Sequence, residues 1–134
     1  MNFRQLGKTV ALILSEKKAE EIIILDVRKL TFFTDYFLFA NGNSIIHLKT
    51  LRETLEEDLT KKKIYPLHID GSPSSSWQVL DFGGLIVHLF LPEIRKFYQL
   101  EKFWQGAKKV FWETPKRKKG TQKRKEKKIA NIRK

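Results

Sequence analysis

The side chains best suited to chemistry in this sequence do not gather into a reaction centre. His47, His68 and His88 lie in separate segments. A metal site could arise from them only by distant convergence. His88 stands between Ile86 and Phe90 on one strand face, the setting of a packed, hydrogen-bonded imidazole. Ser72, Ser74, Ser75 and Ser76 fall in a serine-rich loop, and none occupies a G-x-S-x-G nucleophile turn. A P-loop and a G-x-G-x-x-G are both missing from the sequence. The stretch Asn41-Gly42-Asn43-Ser44 joins a strand to a helix, like the glycine–serine entry of nucleotidyltransferase-like folds. That chemistry needs paired carboxylates just downstream to hold magnesium against a triphosphate. Here IIHLKT follows, and Asp35, ahead of the strand, has no paired partner. The expectation is a binding protein rather than an enzyme, with no cofactor and no metal.

Binding residues are plentiful in the C-terminal third. The segment LPEIRKFYQLEKFW (91–104) places Phe97, Tyr98, Glu101, Phe103 and Trp104 within its last turns. Upstream, Trp77, Val79 and Asp81 alternate, so a strand there presents them on one face. Asp70, Asp81, Glu93 and Glu101 surround these aromatics in sequence. Trp, Tyr and Arg carry interface energy where they cluster. An aromatic, locally acidic surface suits a basic protein partner better than RNA. Part of the set must dock the last helix on its sheet, and Ile94 and Phe97 are expected to do so. Tyr98 and Trp104 lie about 120° apart on a regular helix. They border one patch if the chain loosens into a 3₁₀ turn after Leu100.

The elements that must position these residues follow from the apolar pattern. Phe3, Leu6, Val10, Ile13 and Leu14 predict an amphipathic helix over 3–18. EIIILDV (21–27) and DYFLFANG (35–42) predict strands, the second stopped by Asn-Gly. Asn43 or Ser44 caps a helix over 44–62 with a leucine stripe. A strand over 64–71 is pushed towards an edge by Pro66. Two more, 77–84 and 85–91, turn at Gly83-Gly84, and Pro92 opens the last helix. The fold class is α/β (α+β): a single mixed five-stranded sheet flanked by helices.

The chain has 134 residues, enough for one domain with a core. It has no cysteine, which excludes disulfides and thiolate metal sites. The N-terminus has no secretory-leader pattern, and no apolar run approaches the ~18 residues of a membrane span. The expected location is cytoplasmic. Charge divides the chain in two. Residues 115–134 hold eleven Lys or Arg and one Glu, while 1–114 hold sixteen basic and fourteen acidic residues. The folded domain is therefore expected over 1–114. Residues 115–134 form a basic tail too poor in apolar residues to order itself. Lys116, Arg117, Lys118, Lys119, Lys123, Arg124 and Lys125 are its candidate phosphate contacts.

Over residues 3–105 the chain resembles the ribosomal silencing factor family, also called RsfS or Iojap-like. The carriers are LDVRKLTFFTDYFLFANGNSIIHLKTL (25–51) and DGSPSSSWQVLDFGGLIVHLFLPEIRKFYQLEKFW (70–104). The resemblance implies a nucleotidyltransferase-like sheet without catalytic carboxylates, and a role in repressing translation. Family members bind the large ribosomal subunit through ribosomal protein fourteen and block subunit joining when nutrients are scarce. The matching positions are Asp70, Trp77, Asp81, Gly83, His88, Glu93, Arg95, Tyr98, Leu100, Glu101 and Trp104. On this reading the aromatic, acidic stretch docks the partner and the tail reaches rRNA, with the protein a monomer or weak homodimer. The chain departs from the family pattern at Ile46, where Arg is usual, at Gly84, where an acid is usual, and at Leu91, where Thr is usual. The alternatives are a nucleotidyltransferase-like enzyme and a general RNA-binding protein driven by the tail.

Overall fold

Leu6, Val10, Ala11 and Leu14 make one apolar stripe on α1 (Phe3–Glu16), whose first turn is capped by Asn2 Oδ1 accepting from the Gln5 amide at 2.8 Å. Leu48, Leu51, Leu55 and Leu59 make the matching stripe on α2 (Ile45–Lys61). Both stripes bury against the same face of a sheet, where they meet Ile24, Tyr36, Leu38, Ala40, Leu80 and Leu89. The computed structural model describes residues 1–99, 102 and 104–113.

The strands are β1 (Glu20–Asp26), β2 (Tyr36–Asn41), β3 (His68–Asp70), β4 (Trp77–Asp81), β5 (Leu85–Phe90) and β6 (Lys108–Lys109), in the order β3-β4-β5-β2-β1-β6. β2 and β5 run parallel, from Tyr36 opposite Leu85 to Asn41 opposite Phe90, and the other neighbours are antiparallel. The mixed α+β sheet is as expected, but it has six strands where five were read. The extra one pairs Lys108 and Lys109 with Asp26 and Leu25. Beyond it the Val110 amide donates to Ile24 O at 2.9 Å, and Trp112 Nε1 to Ile22 O at 3.3 Å. Two lysines carry no strand signal. They pair because β1 would otherwise leave an open edge.

Other boundaries moved inward. β3 keeps three residues of the expected eight, since Pro66 has no N–H to give a ladder. β4 stops at Asp81 and residues 82–84 form the turn, with Gly83 at φ +93°. A side chain at Gly84 would overlap the Phe3 ring. The stretch NGNSIIH is a joint. Ser44 Oγ accepts from the His47 amide at 3.0 Å, and His47 Nδ1 accepts from the Asn43 amide at 2.9 Å. His47 Nε2 donates to Lys17 O at 2.8 Å, so one ring ties the end of α1 to the start of α2.

Candidate partner-docking face

The second face of the sheet carries the residues singled out by sequence. Register places Trp77, Val79 and Asp81 of β4 beside Phe90, His88 and Ile86 of β5. Phe37 and Phe39 of β2 lie next, opposite Ile86 and His88, and then Leu25 and Ile23 of β1. Alternate residues share a face, so all of these point the same way. Leu25, Val27, Phe37, Phe39 and Phe90 are its buried floor, and Trp77, Ile86, Ile94, Trp104 and Ala107 are half-buried around it. Among the described residues, the cover is α3 (Pro92–Tyr98) and the chain around Trp104 and Ala107.

His88 sits within this aromatic box, with ring centroids 5.1 Å from Phe39, 5.5 Å from Phe37, 6.2 Å from Trp77 and 6.3 Å from Phe90. Burial pushes its pKa down to about 4. Trp77 Nε1 donates to His88 Nδ1 at 3.2 Å. An indole N–H can only donate, so Nδ1 is the acceptor and the neutral ring carries its proton on Nε2. This is the packed, hydrogen-bonded histidine the sequence suggested.

Arg95 is turned inward and is 6% exposed. Its Nη1 donates to Glu21 O at 2.6 Å and to Asn41 Oδ1 at 2.9 Å. Its guanidinium lies 5.6 Å from the Phe90 ring centroid and 5.9 Å from that of Phe39. The Glu21 carbonyl meets it from a bulge in β1, where Glu21 has φ +53°. Arg95 thus acts on the face by positioning α3.

α3 is shorter than the sequence reading required. It ends at Tyr98, and Gln99 follows in the left-handed region at φ +49° with its amide on Arg95 O. Lys102 and Trp104 then have 3₁₀ geometry, the loosening that the spacing of Tyr98 and Trp104 called for. Tyr98 leans on Trp77 (centroids 5.2 Å) and stays about half exposed. Trp104 packs on Phe37 at 4.7 Å and is half-buried. Ile94 docks the helix as expected. Phe97 does not: it is 76% exposed, edge-on to Tyr98 at 5.0 Å. With Arg95 fixed inward, this short helix leaves Phe97 on its solvent side.

The acidic residues sit at the margin. Asp70 is exposed at the β3 edge, 3.8 Å from His68 Nε2. Asp81 Oδ1 accepts from the Gly83 amide at 2.8 Å, so this carboxylate also closes the β4–β5 turn. Glu93 is exposed in the first turn of α3. Leu91 gives that helix no side-chain cap, and Pro92 at its start removes one of the amides needing one. Leu100, Glu101, Phe103 and the tail lie outside the described residues. Sequence reasoning did not assign Phe37, Phe39 and Phe90 to the site. For Phe37 and Phe39 the signal was β2 itself, apolar on both faces, the mark of a strand covered on two sides.

The sequence profile of the family described as "ribosomal silencing factor during starvation" matches residues 1–134. The chain belongs to the ribosomal silencing factor family. It is 30% identical over 107 residues to the ribosomal silencing factor RsfS of Bacillus subtilis, covering 80% of this chain and 91% of that one. It is 34% identical over 93 residues to the chloroplastic protein Iojap of Zea mays, covering 69% of this chain and 40% of the other. A mouse relative, mitochondrial assembly of ribosomal large subunit protein 1, is 33% identical over 95 residues, covering 69% and 42%. A crystal structure from Chromobacterium violaceum superposes with TM-score 0.75 at 28% identity, covering 87% of this chain and 97% of that one. In this silencing-factor chain, the residues carried over from the family motif divide into three groups. Of those that are described, Trp77, Tyr98 and Trp104 build the face, Arg95, Asp81, Gly83 and His88 hold it in shape, and Asp70 and Glu93 border it. Among the described residues no group of three His, Asp or Glu could hold a metal, and no helix is long and apolar enough to cross a membrane.

Proposed function

We propose that this chain binds the large ribosomal subunit through ribosomal protein fourteen, blocks subunit joining and so represses translation when nutrients are limiting. It does this by docking, not by catalysis. The observation that carries the reading is a sheet face of Phe37, Phe39, His88, Phe90 and Trp77, covered by a helix of only seven residues. Tyr98 and Phe97 stand half or more exposed at its surface, with the carboxylates of Asp70 and Glu93 at its margin. Large aromatics on a rigid sheet lose little conformational freedom on binding, and peripheral carboxylates speed encounter with a basic partner. Membership of the silencing-factor family supports the ribosomal target. Residues 1–114 form the docking domain, and the cations of 115–134 reach rRNA beside it.

Co-sedimentation with separated subunits tests this. The protein should pellet with the large subunit and not the small one, and should lower the yield of joined subunits. Tyr98→Ala should melt close to the parent, because its ring is half in solvent, yet bind isolated ribosomal protein fourteen about thirtyfold more weakly (about 2 kcal/mol). Equal pelleting with both subunits, or undiminished binding by the variant, would remove the proposal.

A further inference from the structure

The loop from β1 to β2 presents a fully exposed phenylalanine on a rigid support. Its ends are fixed by the Val27 amide on Asp35 O at 2.9 Å and the Asp35 amide on Gly84 O at 3.2 Å. Inside it, the Leu30 and Thr31 amides both donate to Val27 O at 3.0 Å. Phe33 sets its ring against Phe37 at 6.3 Å, T-shaped. Phe32, next to it, has its ring wholly in water. Exposing such a ring on an ordered loop gains nothing for the fold.

The loop that carries Phe32 also borders a cationic cleft. Beside the loop a cleft of about 410 Å³ is lined by Asp26, Arg28, Lys29, Leu30 and Lys108. Arg28 is taken by Asp26, with Nη2 2.7 Å from Oδ2, which holds that carboxyl below the usual carboxylate range. Lys29 and Lys108 are exposed, and neither has an ion pair among the described residues. In the strand order this corner at β1 and β6 stands at the opposite edge of the sheet from Asp70 on β3. Besides its aromatic face, the molecule therefore has a cationic corner on the edge of the sheet away from Asp70.

We propose that the β1–β2 loop is a single-stranded RNA contact, in which Phe32 stacks on an unpaired base while Lys29 and Lys108 hold neighbouring phosphates. Proteins that hold single strands combine those two features, because every base has a π-face and every nucleotide a charge. A lipid surface or an apolar protein pocket would use the ring's bulk and not its plane. The inference draws on the ribosomal reading only for the proximity of RNA, and the two can fail separately.

The full-length chain is titrated against a labelled ten-nucleotide oligouridylate at several salt concentrations. Phe32→Ala and Phe32→Leu should each weaken binding at least fivefold, within the range that base stacking on aromatics spans, with the salt slope unchanged. Phe32→Trp should bind as tightly as the parent. Lys29→Gln should instead flatten the slope by up to about 0.7, one single-strand phosphate's share. All four variants should melt like the parent. Parental binding by Phe32→Ala overturns the proposal. So does Phe32→Leu binding normally while Phe32→Ala is weak, since that pattern marks insertion into a protein pocket or a membrane. Ribosomal protein fourteen alone should bind Phe32→Ala and parent equally. If it binds neither, the docking reading falls and the oligonucleotide result still decides the loop.

Discussion

His88 holds the aromatic face together only while it is neutral. Its Nδ1 accepts from Trp77 Nε1, and a proton there would set two donors against each other. Burial puts the folded-state pKa at about 4 against 6.5 for a free imidazole. Between those values the unfolded chain binds more protons than the folded one, so stability rises with pH across this window. The contribution is complete above about pH 6.5 and is lost as pH falls towards 4. It amounts to about 2–3 kcal/mol, with some allowance for the ring's partial contact with water. Urea unfolding at pH 7 and pH 4.5 should show that loss. His88→Gln, which keeps an acceptor but does not titrate, should show a flatter dependence. Identical pH slopes for parent and variant would mean that the ring is not held neutral by the fold.

At the scale of elements, the end of α3 decides how the face is built. Had the helix run on through residue 104, Tyr98 and Trp104 would diverge by about 120°. The left-handed Gln99 stops it, and Trp104 packs on Phe37. From its spacing and position, Trp104 reads as an interface anchor of little structural weight. Its packing on Phe37 gives it a share in stability as well. Trp104→Ala should therefore cost about 2 kcal/mol of folding stability, less than the ~3–5 of a fully buried tryptophan. It should also weaken docking, because the floor around Phe37 opens. Chemical denaturation paired with binding to ribosomal protein fourteen checks both parts. An unchanged unfolding midpoint would show that the indole does not brace the sheet.

At the scale of the whole molecule, charge is divided unevenly along the chain. Residues 1–114 carry sixteen basic and fourteen acidic residues, and 115–134 carry eleven basic and one acidic. Each phosphate neutralised by the tail adds somewhat less than one unit to the log–log salt slope. Truncation to residues 1–114 should leave the unfolding transition in place, weaken large-subunit binding and give a shallower slope. Docking to isolated ribosomal protein fourteen should survive it. Equal slopes for the full and shortened chains would mean that the tail's cations meet no phosphate in the complex.

Much of this protein was legible in its residue order. Leucine stripes gave α1 and α2, because helical periodicity and burial coincide there. Alternation gave β2 and β4, and Asn-Gly marked where β2 stops. The missing carboxylate pair after NGNS and the run of aromatics and acids near residue 100 pointed away from catalysis and towards docking. The residues that assemble the face were not legible as a set. Trp77, His88, Phe39 and Tyr98 are neighbours only because the register of β4, β5 and β2 is fixed by contacts far apart in sequence. β6 was invisible for the same reason, since two lysines become a strand only where β1 offers an edge. Phe97 was assigned to the wrong side, because a two-turn helix takes its orientation from one buried anchor, Arg95, rather than from its average apolarity. Local pattern determines what a segment becomes. Which of its sides is covered is settled by long-range pairing, and this chain's aromatic face exists only at that level.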